Sequence, residues 1–190
     1  MRIIAGRHRG RRLLAPAGAA ATRPTADRVR QALFDMLWHA PWAGRGVVED
    51  SRVLDAFAGT GALGLEALSR GAVHAAFLET DRAALSALRA NIAACREAER
   101  CGVLAADATR PPRAAEPCTL LFLDPPYGRG LVATSLAALS GAGWIAPRAL
   151  VCAEVEAASG APPVGFVLLA ERAHGAARLL FLRPASDDAA

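Results

Sequence analysis

The chain contains no lysine: all 22 of its basic side chains are arginines, set against 18 acids. Alanine is abundant as well, which suggests a compositional bias of the coding sequence. The choice of arginine over lysine is therefore weak evidence of bidentate phosphate recognition. There are only four cysteines, Cys95, Cys101, Cys118 and Cys152. None stands in a C-x-x-C spacing or beside a histidine cluster, so no metal-ligand set is read, and reduced, buried thiols of a cytoplasmic protein are expected. No uninterrupted apolar stretch approaches the roughly 20 residues that span a bilayer, so no membrane partner is expected. The N-terminus is arginine-rich and lacks the apolar core of a signal peptide, so none is expected.

What is present fits one α/β domain with a small appendage: 190 residues, 53% of them hydrophobic. The net charge of +4 is unevenly spread. Residues 1–30 hold eight arginines (Arg2, Arg7, Arg9, Arg11, Arg12, Arg23, Arg28, Arg30) against Asp27 alone, whereas the remaining 160 residues hold 14 arginines against 17 acids. A basic arm on a slightly acidic body points to a polyanionic partner, with a merely solvated surface as the alternative. Arg7, Arg9, Arg11, Arg12, Arg23, Arg28 and Arg30 are the candidate contacts to a nucleic acid.

Short apolar-containing runs at 2–5 and 12–15 flank a Gly/Arg segment and predict a basic β-hairpin. Residues 16–24 read as a loop. Thr25 is placed to cap a helix from Ala26 to about Trp38, with Val29, Ala32, Leu33, Met36 and Leu37 on one face. From Arg52 the pattern alternates. Strands are predicted at 52–57, 73–79, 102–105, 118–123 and 150–155, with helices at 62–69, 82–96 and 131–139 between them. Two runs, 165–171 and 176–182, then follow with no helix between. This predicts a Rossmann-like fold: a mostly parallel seven-stranded sheet with helices on both faces and an antiparallel hairpin at one edge. The expected organisation is a hairpin and loop over 1–24, the main domain over 25–184, and a disordered tail over 185–190.

Two loops carry chemistry. Gly59, Gly61 and Gly64 satisfy G-x-G-x-x-G between a strand and a helix, a weak signal by itself. Glu79 lies 20 residues past Gly59, at the end of the next strand, where a carboxylate can accept both ribose hydroxyls. A nicotinamide dinucleotide fits these residues too. Asp55 disfavours it, because a carboxylate four residues before Gly59 would repel a pyrophosphate and welcome an amino-bearing or cationic ligand. S-adenosylmethionine has an ammonium, a sulfonium and a ribose but no phosphate, and fits better. Phe57 in the same loop is counted with the cofactor residues. Asp107, after the third strand, is placed to accept the adenine amino group with the Ala108 amide facing a ring nitrogen; a helix cap is its other reading.

The second loop is Asp124-Pro125-Pro126-Tyr127, directly after the apolar run 119–123. The prolines lack N–H groups and have fixed φ, so they hold the loop's carbonyls in place. An exocyclic amine of a base is a poor nucleophile because its lone pair is delocalised into the ring. If Asp124 and the Pro125 carbonyl each accept one N–H, the nitrogen pyramidalises and its lone pair aims at a methyl donor. Tyr127 offers a ring face for a base turned out of its stack. Hydride transfer has no use for such a loop.

These two motifs, in this order, resemble class I methyltransferases acting on exocyclic amines. Arg2-Ile3-Ile4-Ala5-Gly6 with Arg9-Gly10-Arg11, and the stretch Arg23 to Arg30, are similar to the start of the RsmD family. The resemblance runs from Met1 to about Pro184. It implies transfer of a methyl group from S-adenosylmethionine to guanine N2 of 16S rRNA, with Asp55, Gly59, Gly61, Glu79 and Asp107 holding the cofactor and Asp124 to Tyr127 holding the base. A cytoplasmic monomer acting on 16S rRNA, within an assembling 30S subunit, is the expectation. The alternatives are a DNA adenine-N6 methyltransferase, although no stretch is long enough for an inserted target-recognition segment, and a non-enzymatic RNA-binding assembly factor that keeps the fold.

Overall fold

The computed structural model describes residues 1–16, 24–126, 128–156, 161–175 and 177–185. Seven strands form a single sheet among them: β1 (Arg52–Asp55), β2 (His74–Glu79), β3 (Cys101–Ala105), β4 (Cys118–Leu123), β5 (Ile145–Glu156), β6 (Phe166–His174) and β7 (Ala177–Pro184). The spatial order is β3-β2-β1-β4-β5-β7-β6. The first five pair in parallel, while β7 runs antiparallel to both β5 and β6. The helices are α1 (Pro24–His39), α2 (Ala62–Ser69), α3 (Arg82–Cys95) and α4 (Leu131–Gly141). This is the expected class I methyltransferase sheet, including its antiparallel edge.

The alternation of side chains along each strand divides the core into two layers. Val53, Phe77, Leu120, Phe122 and Phe181 face α1, α2 and α3, where Leu33, Phe34, Leu37, Leu65, Leu68 and Leu88 meet them. Leu54, Leu78, Leu121, Leu123 and Val151 face the other way, onto α4 through Val132, Leu136 and Leu139. Trp42 packs on Phe181 with ring centroids 5.0 Å apart. Trp144 is buried and donates its indole N–H to the Pro112 carbonyl. These two tryptophans therefore fill the core. The four cysteines are free thiols, and burial pushes Cys101 and Cys118 up to about 12.

Three elements differ from expectation. Helix α1 begins at Pro24, not after a Thr25 cap. Proline suits a first helical position, where its missing N–H has no partner to lose. Strand β5 starts at Ile145, five residues before the apolar run. The β4–β5 ladder shifts register between Cys118 and Leu120, and such an irregularity admits Pro147 into the strand.

The third difference concerns the N-terminal arm: the predicted hairpin is present but short, one antiparallel bridge from Arg2 to Arg12 flanked by backbone hydrogen bonds from Ile3 to Arg11, Gly10 to Ile3 and Leu13 to Met1. The arm is also fastened to α2. Ser69 accepts the Arg7 amide on its carbonyl and the His8 amide on its hydroxyl. Gly6 is needed there: its φ is +76°, and a Cβ would lie 1.8 Å from the Ser69 carbonyl oxygen. Ile3 and Leu13 are buried in the core layer of α1–α3. The expected tail beyond Ala185 lies outside the described residues. Among the described residues no helix is long and apolar enough to cross a membrane.

Candidate active site

The chain winds from β1 outward to β3, then returns to β4 on the other side of β1. The reversal leaves a crevice at the C-terminal ends of β1 and β4, the place where open α/β sheets bind ligands. Both motif loops leave the sheet here. The Ala56 amide donates to the Phe122 carbonyl at 2.9 Å and ties the two exits together.

The first loop is built from its own carboxylates. Asp55, 1% exposed, accepts the Gly64 amide at 3.0 Å, drawing the start of α2 onto β1. Burial, with smaller contributions from Asp124 and Glu79, outweighs that hydrogen bond and pushes the Asp55 carboxyl up to about 8. Glu79 accepts the Gly59 amide at 2.7 Å and the Thr80 and Asp81 amides at 2.7 and 2.8 Å. Three of its about four acceptor positions are thus committed to the backbone. The glycines have separate tasks. Gly59 has φ +51° with open space where a Cβ would stand, so backbone conformation requires it. At Gly61, whose φ of +78° also favours glycine, and at Gly64 a Cβ would come within 2.3 Å of Leu88 Cδ1 and 2.4 Å of Phe77 Cε1, so the start of the helix lies close against these neighbours. Phe57 is half-buried in the same turn.

Asp107 follows β3 and accepts the amide and hydroxyl of Thr109, each at 2.8 Å. The Thr109 amide is the largest cause holding its carboxyl below the ordinary value. Asp107 thus closes a local turn, with Ala108 buried beneath it.

Asp124 directly follows β4. The residue as a whole is exposed, but desolvation of its carboxyl, with Glu154 adding to it, pushes it up to about 7. Pro125 is buried and Pro126 exposed. The loop is latched from β5, where Glu156 accepts the Gly128 amide at 2.5 Å. Pro125, Pro126, Leu131, Val132, Glu154 and Val155 line part of a cavity of about 210 Å³ beside it. Tyr127 lies outside the described residues, as does Arg23.

Of the arm's arginines, Arg9, Arg11, Arg12 and Arg28 are exposed. Arg7 is half-engaged, 2.5 Å from the buried Glu97. Arg30 corrects an expectation. Its side chain is buried and donates to the Arg2 carbonyl at 2.6 Å and to Asp27 at 2.9 Å, so it holds the arm to α1 and offers no free charge to a polyanion. Arg2, Arg9 and Arg28 line a cleft of about 340 Å³ between arm and helix.

Sequence reading passed over Glu66. It is fully buried, accepts the Ile4 and Ala5 amides at 2.7 and 3.0 Å and pairs with Arg70 at 2.8 Å. Its signal was visible: a lone acid in the otherwise apolar helix Ala62–Ser69. Arg70 also stacks 4.6 Å from the Phe34 ring centroid.

The family model described as conserved hypothetical protein 95 matches residues 1–183. The chain is 41% identical over 164 residues to ribosomal RNA small subunit methyltransferase D of Escherichia coli, covering 86% of this chain and 79% of that one. Against the protein of the same name from Haemophilus influenzae it is 36% identical, covering 82% and 79%. A solved structure titled a putative methyltransferase from Escherichia coli superposes with a TM-score of 0.81 at 36% identity, covering 98% of this chain and 99% of that one. The chain belongs to the RsmD family and is a methyltransferase of the class I fold.

Proposed function

We propose that this protein transfers a methyl group from S-adenosylmethionine to the exocyclic N2 amine of one guanine in 16S rRNA, acting in the cytoplasm as a monomer on the assembling small subunit. The observation that carries the reading is the meeting of two loops at one crevice: the acidic, glycine-rich turn after β1 and the Asp124-Pro125-Pro126 segment after β4. The substrate class is supported by the names of the relatives, which are small-subunit rRNA methyltransferases, and by the exposed arginines of the arm.

The residues present fit the cofactor. A buried carboxyl raised to about 8 is one that a positive ligand group would ionise, and Asp55 is so placed. Asp55 would face the methionine end, Glu79 a ribose hydroxyl through its remaining acceptor position, and Asp107 with Ala108 the adenine. When bound, the cofactor supplies an electrophilic methyl group on a sulfonium. Asp124 and the Pro125 carbonyl each accept one N–H of the target amine, which turns its lone pair out of conjugation. Asp124 takes up the proton lost from that nitrogen, a task suited to a carboxyl near 7. Tyr127 offers the face on which the extruded base stacks.

Tritium transfer from labelled cofactor to small-subunit rRNA, 30S particles and DNA in parallel, followed by nucleoside analysis, tests the reading. N2-methylguanosine in rRNA or particles is expected; label on adenine or in DNA would overturn it. Glu79→Ala will weaken S-adenosylhomocysteine binding by about 1–3 kcal/mol, both directly and by freeing the Gly59 amide. Calorimetry checks this, and unchanged affinity would remove Glu79 from the site. Cofactor affinity will also fall as pH drops below about 8, because Asp55 is then protonated in the free enzyme and must release its proton on binding. In the free chain the sign for folding is the opposite. A carboxyl raised from 3.8 to about 8 favours the folded state fully below 3.8, and that contribution is lost as pH rises through 8.

A further inference from the structure

One side chain joins the N-terminal arm to the glycine-rich turn. Asn91, on α3, is 1% exposed. Its Oδ1 accepts the Leu14 amide at 2.7 Å, while its Nδ2 donates to the Leu14 carbonyl at 3.1 Å and to the Thr60 carbonyl at 3.0 Å. Both N–H donors of the amide are thus engaged, one on each partner. The Leu14 side chain is exposed, so backbone bonds to Asn91 hold that end of the arm where burial does not. Thr60 stands between Gly59 and Gly61, and its hydroxyl donates at 3.3 Å to the sulfur of Met1, the other end of the arm. Leu88, one helical turn before Asn91, closely approaches Gly61, so one face of α3 supports the turn. Asp55 and Glu79 hold the same turn through the Gly64 and Gly59 amides, but neither bond reaches the arm.

We propose that Asn91 is a positioning residue that couples rRNA held by the arm to S-adenosylmethionine held by the turn, so that each ligand tightens the binding of the other. The inference rests on the cofactor and substrate reading above. Arg9, Arg11 and Arg12 are exposed and stand just before Leu14 in the chain, so a polyanion on them restrains the segment that is tied to Asn91. A restrained Leu14 keeps the Asn91 amide aimed at the Thr60 carbonyl. That in turn keeps the neighbouring Gly59 amide on Glu79, the carboxylate proposed to meet the ribose. In the other direction, a cofactor that fixes the turn holds Thr60, Asn91 and Leu14 in place and presents the arm's arginines in one arrangement. The freedom of turn and arm is then lost once for two ligands. Linkage requires the two effects to be equal in size.

Filter binding of 16S rRNA, with and without saturating S-adenosylhomocysteine, reads the coupling as a ratio of dissociation constants. In wild type the cofactor product should tighten rRNA binding by about fivefold or more. Leu14→Pro removes the amide that donates to Asn91 and alters only an exposed side chain. This variant should bind S-adenosylhomocysteine alone within about twofold of wild type, while its ratio falls below about twofold. Asn91→Asp keeps the acceptor for the Leu14 amide but sets an oxygen against the Leu14 and Thr60 carbonyls. It should lose the ratio and also bind S-adenosylhomocysteine more weakly. Arg9, Arg11 and Arg12 are intact in both variants, so the salt slope of rRNA binding should match wild type. A residue that only stabilises the fold would lower the melting temperature and both affinities but leave the ratio, which would overturn the proposal. A wild-type ratio near one would do the same. A ratio that persists in Leu14→Pro would place the coupling in the crevice, where base and cofactor meet, and overturn it even if Asn91→Asp does not fold. If wild type binds no S-adenosylhomocysteine or no rRNA, the function reading fails first and takes the inference with it; if both bind and only the ratio is missing, the coupling alone fails.

Discussion

Asp124→Ala will lower kcat by about 10²–10³-fold and leave S-adenosylhomocysteine affinity within a few-fold of wild type. The magnitude is that of losing one preorganised electrostatic contact to a reacting group. Asp124 follows β4, and its proposed contact is to the target amine; the glycine-rich turn after β1, where the cofactor is proposed to bind, is held by Asp55 and Glu79 through bonds that do not involve it. Asp124→Asn keeps an acceptor oxygen but cannot take up a proton, so it should fall between alanine and wild type. The pH profile separates the two contributions. The Asp124 carboxyl is pushed up to about 7 and is proposed to work as the anion, so wild-type kcat should rise through pH 7 and level off above it. In the asparagine variant that inflection should vanish. Single-turnover rates from pH 6 to 9, beside calorimetry, read all three effects. A loss of cofactor affinity as large as the loss of turnover would move Asp124 into the cofactor site.

Deleting residues 1–16 will destabilise the methyltransferase body, although the strand–helix alternation begins only at Arg52. The deletion removes Ile3 and Leu13 from the core, at about 1.5–3 kcal/mol each if fully exposed. It also strips Glu66 of the Ile4 and Ala5 amides, leaving a fully buried carboxylate with the Arg70 pair and a more distant Arg30 at 3.8 Å. Breaking such buried charge partnerships costs about 3–5 kcal/mol when a partner is lost outright. A total of 3–5 kcal/mol, allowing for relaxation, corresponds to a fall in Tm of about 6–20 °C for a domain of this size. Glu66→Gln, which keeps its shape but loses the charge, should cost less than the deletion. Changing Arg9, Arg11 and Arg12 together to Gln should leave Tm nearly unaltered and make the slope of log K against log salt shallower for rRNA, because these side chains are exposed. If the deletion melts like the intact chain, the arm is an appendage after all. A triple variant with unchanged salt slope would dismiss it as an rRNA contact.

The sheet was legible in the residues because two periods repeat. Runs such as Cys118–Leu123 are apolar on both faces, as a central parallel strand must be, and each is followed by a helix with one apolar stripe. The glycine-rich turn after β1 was legible for a local reason. Strand β1 with Asp55 at its end, three spaced glycines and Glu79 fall within 28 residues, and Gly61 and Gly64 make close approaches to Leu88 and Phe77. Asp124-Pro125-Pro126 was legible because proline after a buried strand constrains the backbone without help from elsewhere.

What tertiary structure alone decided are pairings across long stretches of chain. Eight arginines in 30 residues look alike as charges, yet packing buries Arg30 against Arg2 and Asp27, half-commits Arg7 to Glu97 and leaves Arg9, Arg11, Arg12 and Arg28 free of burial. Glu66 binds amides more than 60 positions away, a contact with no periodicity to announce it. Glu154 stands beside Asp124 only because β4 and β5 are neighbours in register. Local propensity and periodicity are properties of short windows and can be read from them. The protonation of a carboxylate and the exposure of an arginine depend on what the fold places around them, and that is a property of the whole chain.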